Sequence, residues 1–285
     1  MTSLLGSFFI FIQMSNLLLR AITGIIFVAM IILSIAYSVP ATIIVFSLFF
    51  ILGTVEYFKL FKENKIIQLR WGTPTVVAVL IYGLLVSDLI LGLNDKLIGA
   101  IIVPVVLLLM LTELWRKKSN PLVNLGIQLF GFLYLLIPFY LLVNMRISSD
   151  SSVFLLIGMF TLIWSNDTFA YLSGRMLGKT KLFERISPKK TWEGTIGGII
   201  ITVGISYVIG MYDHSNGVIF WVISGLIIVP GAIFGDLLES LFKRSLNIKD
   251  SGTILPGHGG ILDRFDAALF TIPFFYCWWV IYSYF

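Results

Sequence analysis

Long runs of apolar residues, separated by short polar loops, dominate the chain. Nine of them are long enough to cross the hydrocarbon core of a bilayer, which takes about 20 mostly apolar residues. The runs lie near residues 21–38, 40–58, 72–92, 97–115, 122–144, 152–173, 194–211, 217–242 and 261–283. Because every backbone N–H and C=O in lipid needs a partner within the protein, the pattern predicts an all-α, polytopic bundle of about nine transmembrane helices.

The composition agrees with lipid as the main solvent. Hydrophobic residues make up 58% of the chain and charged residues only 12%, which is more apolar surface than one water-facing globule buries. The stretch from Leu4 to Gln13 is too short for a span and has no Lys or Arg before it, so we predict an interfacial N-terminal segment rather than a signal peptide. Cys277 is the single cysteine, which excludes an intramolecular disulfide.

Basic residues are distributed unevenly among the loops. With nine spans, 18 of the 20 Lys and Arg residues fall on one side, and only Lys96 and Arg146 fall on the other. Cytoplasmic loops carry such an excess, so the N-terminus is predicted to be cytoplasmic. We expect a multi-pass protein of the inner (plasma) membrane with its active site facing the cytoplasm. The net charge of +5 suits membrane lipid and phosphorylated substrates, whereas nucleic acid is not an expected partner because the basic loops carry few aromatic residues.

The two halves of the chain differ in where their ionisable residues lie. Residues 1–150 contain almost none within the apolar runs and are predicted to form a scaffold, with a homodimer through this half as a further hypothesis. Glu56 and Glu113 lie beside basic residues, which favours salt bridges at headgroup level. Residues 151–285 carry Asp167, Asp236, Glu239, Asp263 and Asp266 in or beside apolar helices. A charge at mid-bilayer costs roughly 2.5 kcal/mol or more, so this half is predicted to be catalytic.

The stretch from Gly235 to Asp266 has the densest pattern of polar residues. One face of a helix would present, at i, i+3, i+4 and i+7 spacing, Asp236, Glu239, Ser240 and Lys243. A rise of 1.5 Å per residue places Asp236 roughly 10 Å deeper than Lys243. A carboxylate below ammonium and guanidinium groups is suited to hold a metal ion together with phosphates.

A glycine-rich loop containing His258 follows that helix, and its glycines let main-chain N–H groups approach an anion closely. Asp263 and Asp266 then lie one turn apart in the next helix. Together with Asp236 they are predicted to bind Mg²⁺, with room for a second cation. The alternative, that the two later aspartates cap a helix and neutralise Arg264, explains one of them but not Asp236. His258 is a candidate general base, phosphate donor or metal ligand.

A second polar stretch covers residues 165–198. Asp167 lies in a polar patch about two helical turns before the end of the sixth run, and a basic loop follows. The loop contains Arg175, Lys179, Lys181, Arg185, Lys189 and Lys190, whereas orientation alone would require about two or three of them. We interpret Lys189 and Lys190 as a clamp for a triphosphate. The alternative is contact with lipid headgroups.

The densest motif, from Ser240 to Asp266, reads SLFKRSLNIKDSGTILPGHGGILDRFD, and ISPKKTWEG and DTFAYLSGRMLGK lie upstream of it. In these segments the chain resembles the phosphatidate cytidylyltransferase (CDP-diacylglycerol synthase) family. The resemblance covers about residues 152–285, while the first half matches only in its hydrophobic, many-span character. It implies a Mg²⁺-dependent transfer of CMP from CTP to phosphatidic acid, giving CDP-diacylglycerol and pyrophosphate in phospholipid biosynthesis.

The resemblance also implies roles for individual residues. Asp236, Asp263 and Asp266 would hold metal and act in catalysis with His258 and Lys243. Substrate binding would fall to Asp167, Arg175, Lys189, Lys190, Glu239, Ser240, Arg244 and Arg264. Attack of a phosphatidate oxygen on the α-phosphorus needs no protein nucleophile, only positioning and neutralisation of charge.

Two other functions remain open at this point. A CTP-dependent lipid kinase would use similar metal and basic groups but transfer the γ-phosphoryl group. A secondary transporter also uses intramembrane carboxylates, although it usually places them near the midplane. The carboxylates here cluster towards one face beside the basic loops, which disfavours the transporter.

Overall fold

The computed structural model describes residues 2–61, 70–117, 120–148, 151–254 and 259–284, with the backbone alone for residues 2–17. The helices are α1 (Thr2–Tyr37), α2 (Val39–Leu60), α3 (Gly72–Leu91), α4 (Asp95–Arg116), α5 (Pro121–Gly131), a π-helical turn (Phe132–Leu136), α6 (Ile137–Ser148), α7 (Ser152–Leu177), α8 (Trp192–Tyr212), α9 (Gly217–Ser245) and α10 (Leu262–Tyr282). Strands β1 (Lys181–Phe183) and β2 (Ser187–Thr191) lie between α7 and α8.

In these described ranges, nine helical segments are long and apolar enough to cross a membrane, and they coincide with the nine predicted runs. The fifth consists of α5, the π-helical turn and α6. The prediction of an all-α, multi-pass membrane protein is therefore confirmed. The stretch from Leu4 to Gln13 is part of the long helix α1, ahead of the membrane-spanning part that begins at Leu18, and its interfacial location stays a prediction.

A cluster of phenylalanine rings joins the last helix to the first half of the chain. The ring of Phe265 on α10 lies 5.5 Å from Phe27 on α1, 5.3 Å from Phe49 on α2 and 5.2 Å from Phe139 on α6, measured between centroids. These tilted and edge-on arrangements are the ones that aromatic pairs favour. Asp263 and Asp266, on either side of Phe265 in sequence, are thus held close to the first half of the chain.

Close backbone contacts join the helices of the second half. A Cβ at Gly235 on α9 would lie 2.6 Å from the carbonyl oxygen of Asp266 on α10, so only glycine fits there. Small residues at such crossings let membrane helices approach closely. This crossing places Asp236, the next residue of α9, beside the first turns of α10.

The basic segment predicted as a loop contains an antiparallel hairpin. Lys181 of β1 pairs with Thr191 of β2, and Phe183 pairs with Ser187. Thr191 also caps α8, because its hydroxyl accepts a hydrogen bond from the Gly194 N–H at 3.2 Å. The hairpin is therefore fixed to the start of α8, and Lys189 and Lys190 have defined positions.

Candidate active site

Three carboxylates from three helices meet at the end of the bundle that carries the hairpin. Asp167 on α7 lies within electrostatic range of both Asp236 on α9 and Asp266 on α10. Asp266 and Asp236 also interact with each other. The sequence motif thus identified residues that the fold brings together, and α7 adds Asp167 to the pair from the last two helices.

A lysine of the hairpin neutralises part of this negative charge. The ammonium group of Lys190 lies 2.5 Å from Oδ2 of Asp236. The hydroxyl of Ser240, one turn further along α9, lies 3.2 Å from the other oxygen of the same carboxylate. Asp236 is therefore positioned by both a cation and a hydroxyl, and its partner Lys190 comes from the segment interpreted as a phosphate clamp.

Asp263 has a different set of partners. Oδ1 of Asp263 lies 2.6 Å from the ammonium of Lys243, which also lies 3.4 Å from Oε2 of Glu239. Oδ2 of Asp263 accepts hydrogen bonds from the N–H of Ser251 at 2.9 Å and from the N–H of Gly260 at 2.8 Å. Asp263 thus connects α9, the glycine-rich loop and α10.

Two cavities open around these groups. The first, of about 370 Å³, is lined among others by Asp167, Arg175, Lys189, Lys190 and Asp236. The second, of about 460 Å³, is lined among others by Asp167, Lys243, Asp263, Arg264 and Asp266. Asp167 lies on the wall of both, so the two cavities adjoin at this residue. Their walls carry acidic and basic groups together, which suits an anion that arrives with a cation.

Glu56, on α2 in the first half, is a site residue that the sequence did not reveal. It is only 5% exposed, and its carboxylate accepts hydrogen bonds from the Ser251 hydroxyl and from the N–H groups of Ile261 at 2.8 Å and Leu262 at 3.3 Å. The prediction of a headgroup-level salt bridge was therefore wrong for Glu56. For Glu113, which pairs with Arg116, a salt bridge is present, although Glu113 is buried.

The π-helical turn places another polar group beside the site. The hydroxyl of Tyr134 is buried and has no hydrogen-bond partner within the described part of the chain. It lies within electrostatic range of Glu239, Asp266 and Asp236. Such turns inside α-helices frequently occur at functional sites, and only the fold shows that this one adjoins the carboxylates.

The residues described by the structure include no group of three His, Cys, Asp or Glu side chains arranged to hold a metal ion. Asp263 is directed at Lys243 and the glycine-rich loop, while Asp236 is paired with Lys190. A Mg²⁺ site built from Asp236, Asp263 and Asp266 therefore stays a prediction.

Some of the other predicted site residues line the two cavities and others do not. Arg175 and Lys189 line the first cavity and Arg264 lines the second. Arg244 is exposed and donates a hydrogen bond to the carbonyl of Ile248 at 3.4 Å, outside the described walls of both cavities. His258 lies outside the described residues.

Comparisons with known proteins show what the chain as a whole is similar to. A family model described as "Cytidylyltransferase family" matches residues 18–282. The chain is 31% identical over 268 residues to the phosphatidate cytidylyltransferase of Bacillus subtilis, a match that covers 90% of this chain and 95% of that protein. It is 41% identical over 175 residues to the Rickettsia typhi protein of the same name, covering 59% and 75%. The match to the Haemophilus influenzae protein is 40% identical over 174 residues and covers 57% of this chain and 58% of that protein.

Proposed function

Since this chain belongs to the cytidylyltransferase family, we propose that it transfers the CMP group of CTP to phosphatidic acid, giving CDP-diacylglycerol and pyrophosphate in phospholipid biosynthesis. The observation that carries the proposal is the pairing of Lys190 with Asp236 and of Lys243 with Asp263 around two adjoining cavities. Both substrates are strongly anionic, and these paired groups offer cations to phosphate and carboxylates to a metal ion.

The reaction requires no covalent intermediate on the protein. An oxygen of the phosphatidate phosphate forms a bond to the α-phosphorus of CTP, and the bond from that phosphorus to the bridging oxygen of the β-phosphate breaks. Pyrophosphate leaves with the electron pair. The work of the protein is to align the two phosphates and to stabilise the charge that moves onto the leaving group.

The lysines are suited to bind the triphosphate. Lys189 and Lys190 lie on the wall of the first cavity, and Lys243 on the wall of the second. Lys190 and Lys243 lie against the carboxylates of Asp236 and Asp263 at 2.5 and 2.6 Å. Entering phosphates can take over these ammonium groups, and the carboxylates that are released can then contact a cation that arrives with the nucleotide.

The carboxylates fit Mg²⁺ in its usual mode of binding nucleotides. This ion keeps several waters and takes one or two carboxylates together with substrate phosphates, so a preformed group of three ligands is not required. Asp236 and Asp266, which interact across the α9–α10 crossing, are the proposed ligands, with Asp263 as a third. When bound, the ion would neutralise phosphate charge and assist the departure of pyrophosphate.

The remaining parts of the proposal concern placement. The protein lies in the inner membrane and its site faces the cytoplasm, because the basic residues gather at the end of the bundle that carries the site. Residues 1–150 act as scaffold and residues 151–285 carry most of the chemistry. A homodimer through the first half is included as a hypothesis.

The decisive experiment uses detergent-purified protein, phosphatidic acid and CTP labelled on the α-phosphate, with Mg²⁺ or with EDTA. We expect a labelled lipid that forms only with Mg²⁺. A parallel reaction with CTP labelled on the γ-phosphate tests for a lipid kinase, which would label the lipid in that reaction alone. Absence of labelled lipid in both reactions, from protein with a cooperative melting transition, would overturn the proposal.

A further inference from the structure

An apolar groove runs between α8 and α9 beside the polar cavities. Its volume is about 410 Å³. Its walls come from the hairpin and both helices, and they include Phe183, Trp192, Ile199, Leu226, Val229 and Phe234. Val229 is buried, whereas Leu226 and Phe234 are each about half exposed. Because these residues lie within the helix Gly217–Ser245, which is long and apolar enough to span the membrane, we take the exposed side of the groove to face lipid.

The groove adjoins the cavity that contains the charged groups. Thr195 on α8 and Ile233 on α9 line both the groove and the first polar cavity. Asp236 lies one turn beyond Ile233, and the basic pair of the hairpin lies across from it. A charged cavity and an apolar groove thus lie side by side, which matches the charged head and the apolar chain of an anionic amphiphile.

The groove also has the depth of a lipid chain segment. Leu226 precedes Asp236 by ten residues on the same helix, which corresponds to about 15 Å of rise. Pro230, between them, has no N–H to offer the carbonyl of Leu226, so α9 lacks one hydrogen bond at the groove. The groove therefore reaches into the hydrocarbon region from the level of the charged groups.

We propose that this groove holds one acyl chain of the phosphatidic acid while its phosphate occupies the polar cavity, so that the groove sets acyl-chain preference. This inference rests on the proposed function. Holding one chain limits the positions that the phosphate can adopt relative to the nucleotide. An acyl chain too short to fill the groove does not limit the position of the phosphate in this way. The contribution of the groove to kcat/KM therefore depends on the length of the acyl chain.

The first test compares two neighbouring substitutions on α8. Ile199→Trp fills the groove, while Ile200→Trp adds the same volume at a site that is 66% exposed and outside the groove wall. With dipalmitoyl phosphatidic acid we expect kcat/KM to fall roughly tenfold for Ile199→Trp and to stay unchanged for Ile200→Trp. With the dioctanoyl lipid, both variants should match the wild type, as should the KM for CTP.

Several outcomes would overturn the inference. Equal losses with both lipids, or equal losses in both variants, would show that the groove does not discriminate acyl chains. Activity of the wild-type protein with either lipid is measured in the same assay, so failure of the proposed function itself appears as an inactive wild type.

A second test does not depend on turnover or on the folding of a variant. Wild-type protein is irradiated with phosphatidic acid that carries a diazirine midway along one acyl chain, and the labelled peptides are identified. We expect label on peptides containing residues 192–199 and 226–234, reduced by excess unlabelled phosphatidic acid but not by phosphatidylcholine. Label displaced equally by both lipids would identify bulk lipid as the occupant, and label elsewhere would place the chain at another surface; either result contradicts the proposal.

Discussion

At the scale of single residues, Glu56 explains why two glycines are needed in the loop before α10. A Cβ at Gly260 would lie 1.8 Å from Oε1 of Glu56, and one at Gly252 would lie 2.8 Å from its carboxyl carbon. The carboxylate occupies this space because it accepts the N–H groups of Ile261 and Leu262 at the start of the helix. These N–H groups have no partner within α10 itself. Glu56 thus fixes the end of the helix that carries the aspartates of the site.

We expect Glu56→Gln to lower kcat by about tenfold or more. The NH2 group of the glutamine would face the Ser251 hydroxyl and the N–H groups of Ile261 and Leu262, which are themselves donors. Each donor left without an acceptor costs about 1–3 kcal/mol. Steady-state turnover with varied CTP checks this, since a positioning residue should affect kcat more than KM. The matched control is Glu113→Gln, which alters a buried glutamate near Arg116 on α4. It should lower the melting temperature without changing kcat.

A double substitution tests the same contact from the other side. Gly260→Ala should abolish turnover by collision with the Glu56 carboxylate, and Glu56→Ala in the same chain should restore part of it by removing the colliding atoms. Turnover of the single and double variants forms a double-mutant cycle. Strictly additive losses would show that the two positions do not interact.

Asp213, between α8 and α9, offers a prediction of pH dependence. Burial raises the pKa of this carboxyl, but hydrogen bonds from Asn216 and from the indole N–H of Trp221, each at 2.7 Å, and from the Ser215 N–H outweigh it and hold the pKa below its ordinary value of 3.8. A lowered folded-state pKa contributes stability above pH 3.8 that is lost as the pH falls through the folded-state value.

The expected result is that the melting temperature of the wild-type protein in detergent falls below about pH 4 and that Asp213→Asn reduces this dependence. At neutral pH the variant should be less stable by about 1–3 kcal/mol. Fluorescence-monitored melting from pH 3 to pH 7 measures both quantities. A variant with the wild-type pH profile would show that Asp213 does not contribute to it.

The sequence revealed the charged residues of the site but not their partners. Asp236, Asp263 and Asp266 could be selected because a carboxylate in an apolar helix is costly and seldom occurs without a function. The contact between Ser251 and Glu56 joins residues 195 positions apart. Glu56 also has basic neighbours in sequence, which favoured a local salt bridge, so no pattern along the chain indicated its actual role.

At the scale of elements, the nine spans were predictable because each is a run of about 20 apolar residues, whereas the hairpin was not. Its strands contain three and five residues, too few for an alternating pattern to be recognised. The hairpin is held by contacts beyond its own residues, since Glu193 on α8 accepts hydrogen bonds from the N–H groups of Lys179 and Thr180. This arrangement gives Lys189 and Lys190 different surroundings.

Substitution of the two lysines should therefore have unequal effects. Lys190 is half-buried and paired with Asp236, while Lys189 is exposed. We expect Lys190→Ala to lower kcat/KM for CTP by about a hundredfold, as loss of a preorganised charge contact does, and Lys189→Ala to lower it much less. Lys181→Ala, on the exposed strand β1, is the control and should leave the parameter unchanged. Equal effects at all three positions would indicate that the positive charge of the hairpin as a whole attracts CTP and that Lys190 makes no specific contact with its triphosphate.

At the scale of the whole molecule, the division into scaffold and catalytic halves stays a prediction, and the contacts show how closely the halves depend on each other. Phe265 packs on rings from α1, α2 and α6, while Glu56 of α2 holds the start of α10. The sequence could not indicate these contacts because the first half has no motif, only apolar residues whose partners depend on the three-dimensional packing.

The orientation in the membrane is testable with two introduced cysteines. In a Cys277→Ser background, Glu184→Cys lies in the turn of the hairpin and His214→Cys lies in the loop between α8 and α9, at opposite ends of α8. With right-side-out vesicles, we expect a membrane-impermeant maleimide to label position 214 only, and position 184 after permeabilisation. The reverse pattern would place the site outside the cytoplasm.

The contact of Glu56 with α10 also has a consequence for biogenesis. Helices of a membrane protein enter the bilayer largely in the order of synthesis, so α2 is in place before its partners at Ser251, Ile261 and Leu262 exist. Until the last helix arrives, an acidic side chain near the end of α2 has no permanent partner and must stay close to the lipid–water interface. Nascent chains that end before α10 therefore lack the Ile261 and Leu262 N–H groups that Glu56 binds in the complete protein, and docking of α10 follows the insertion of α2.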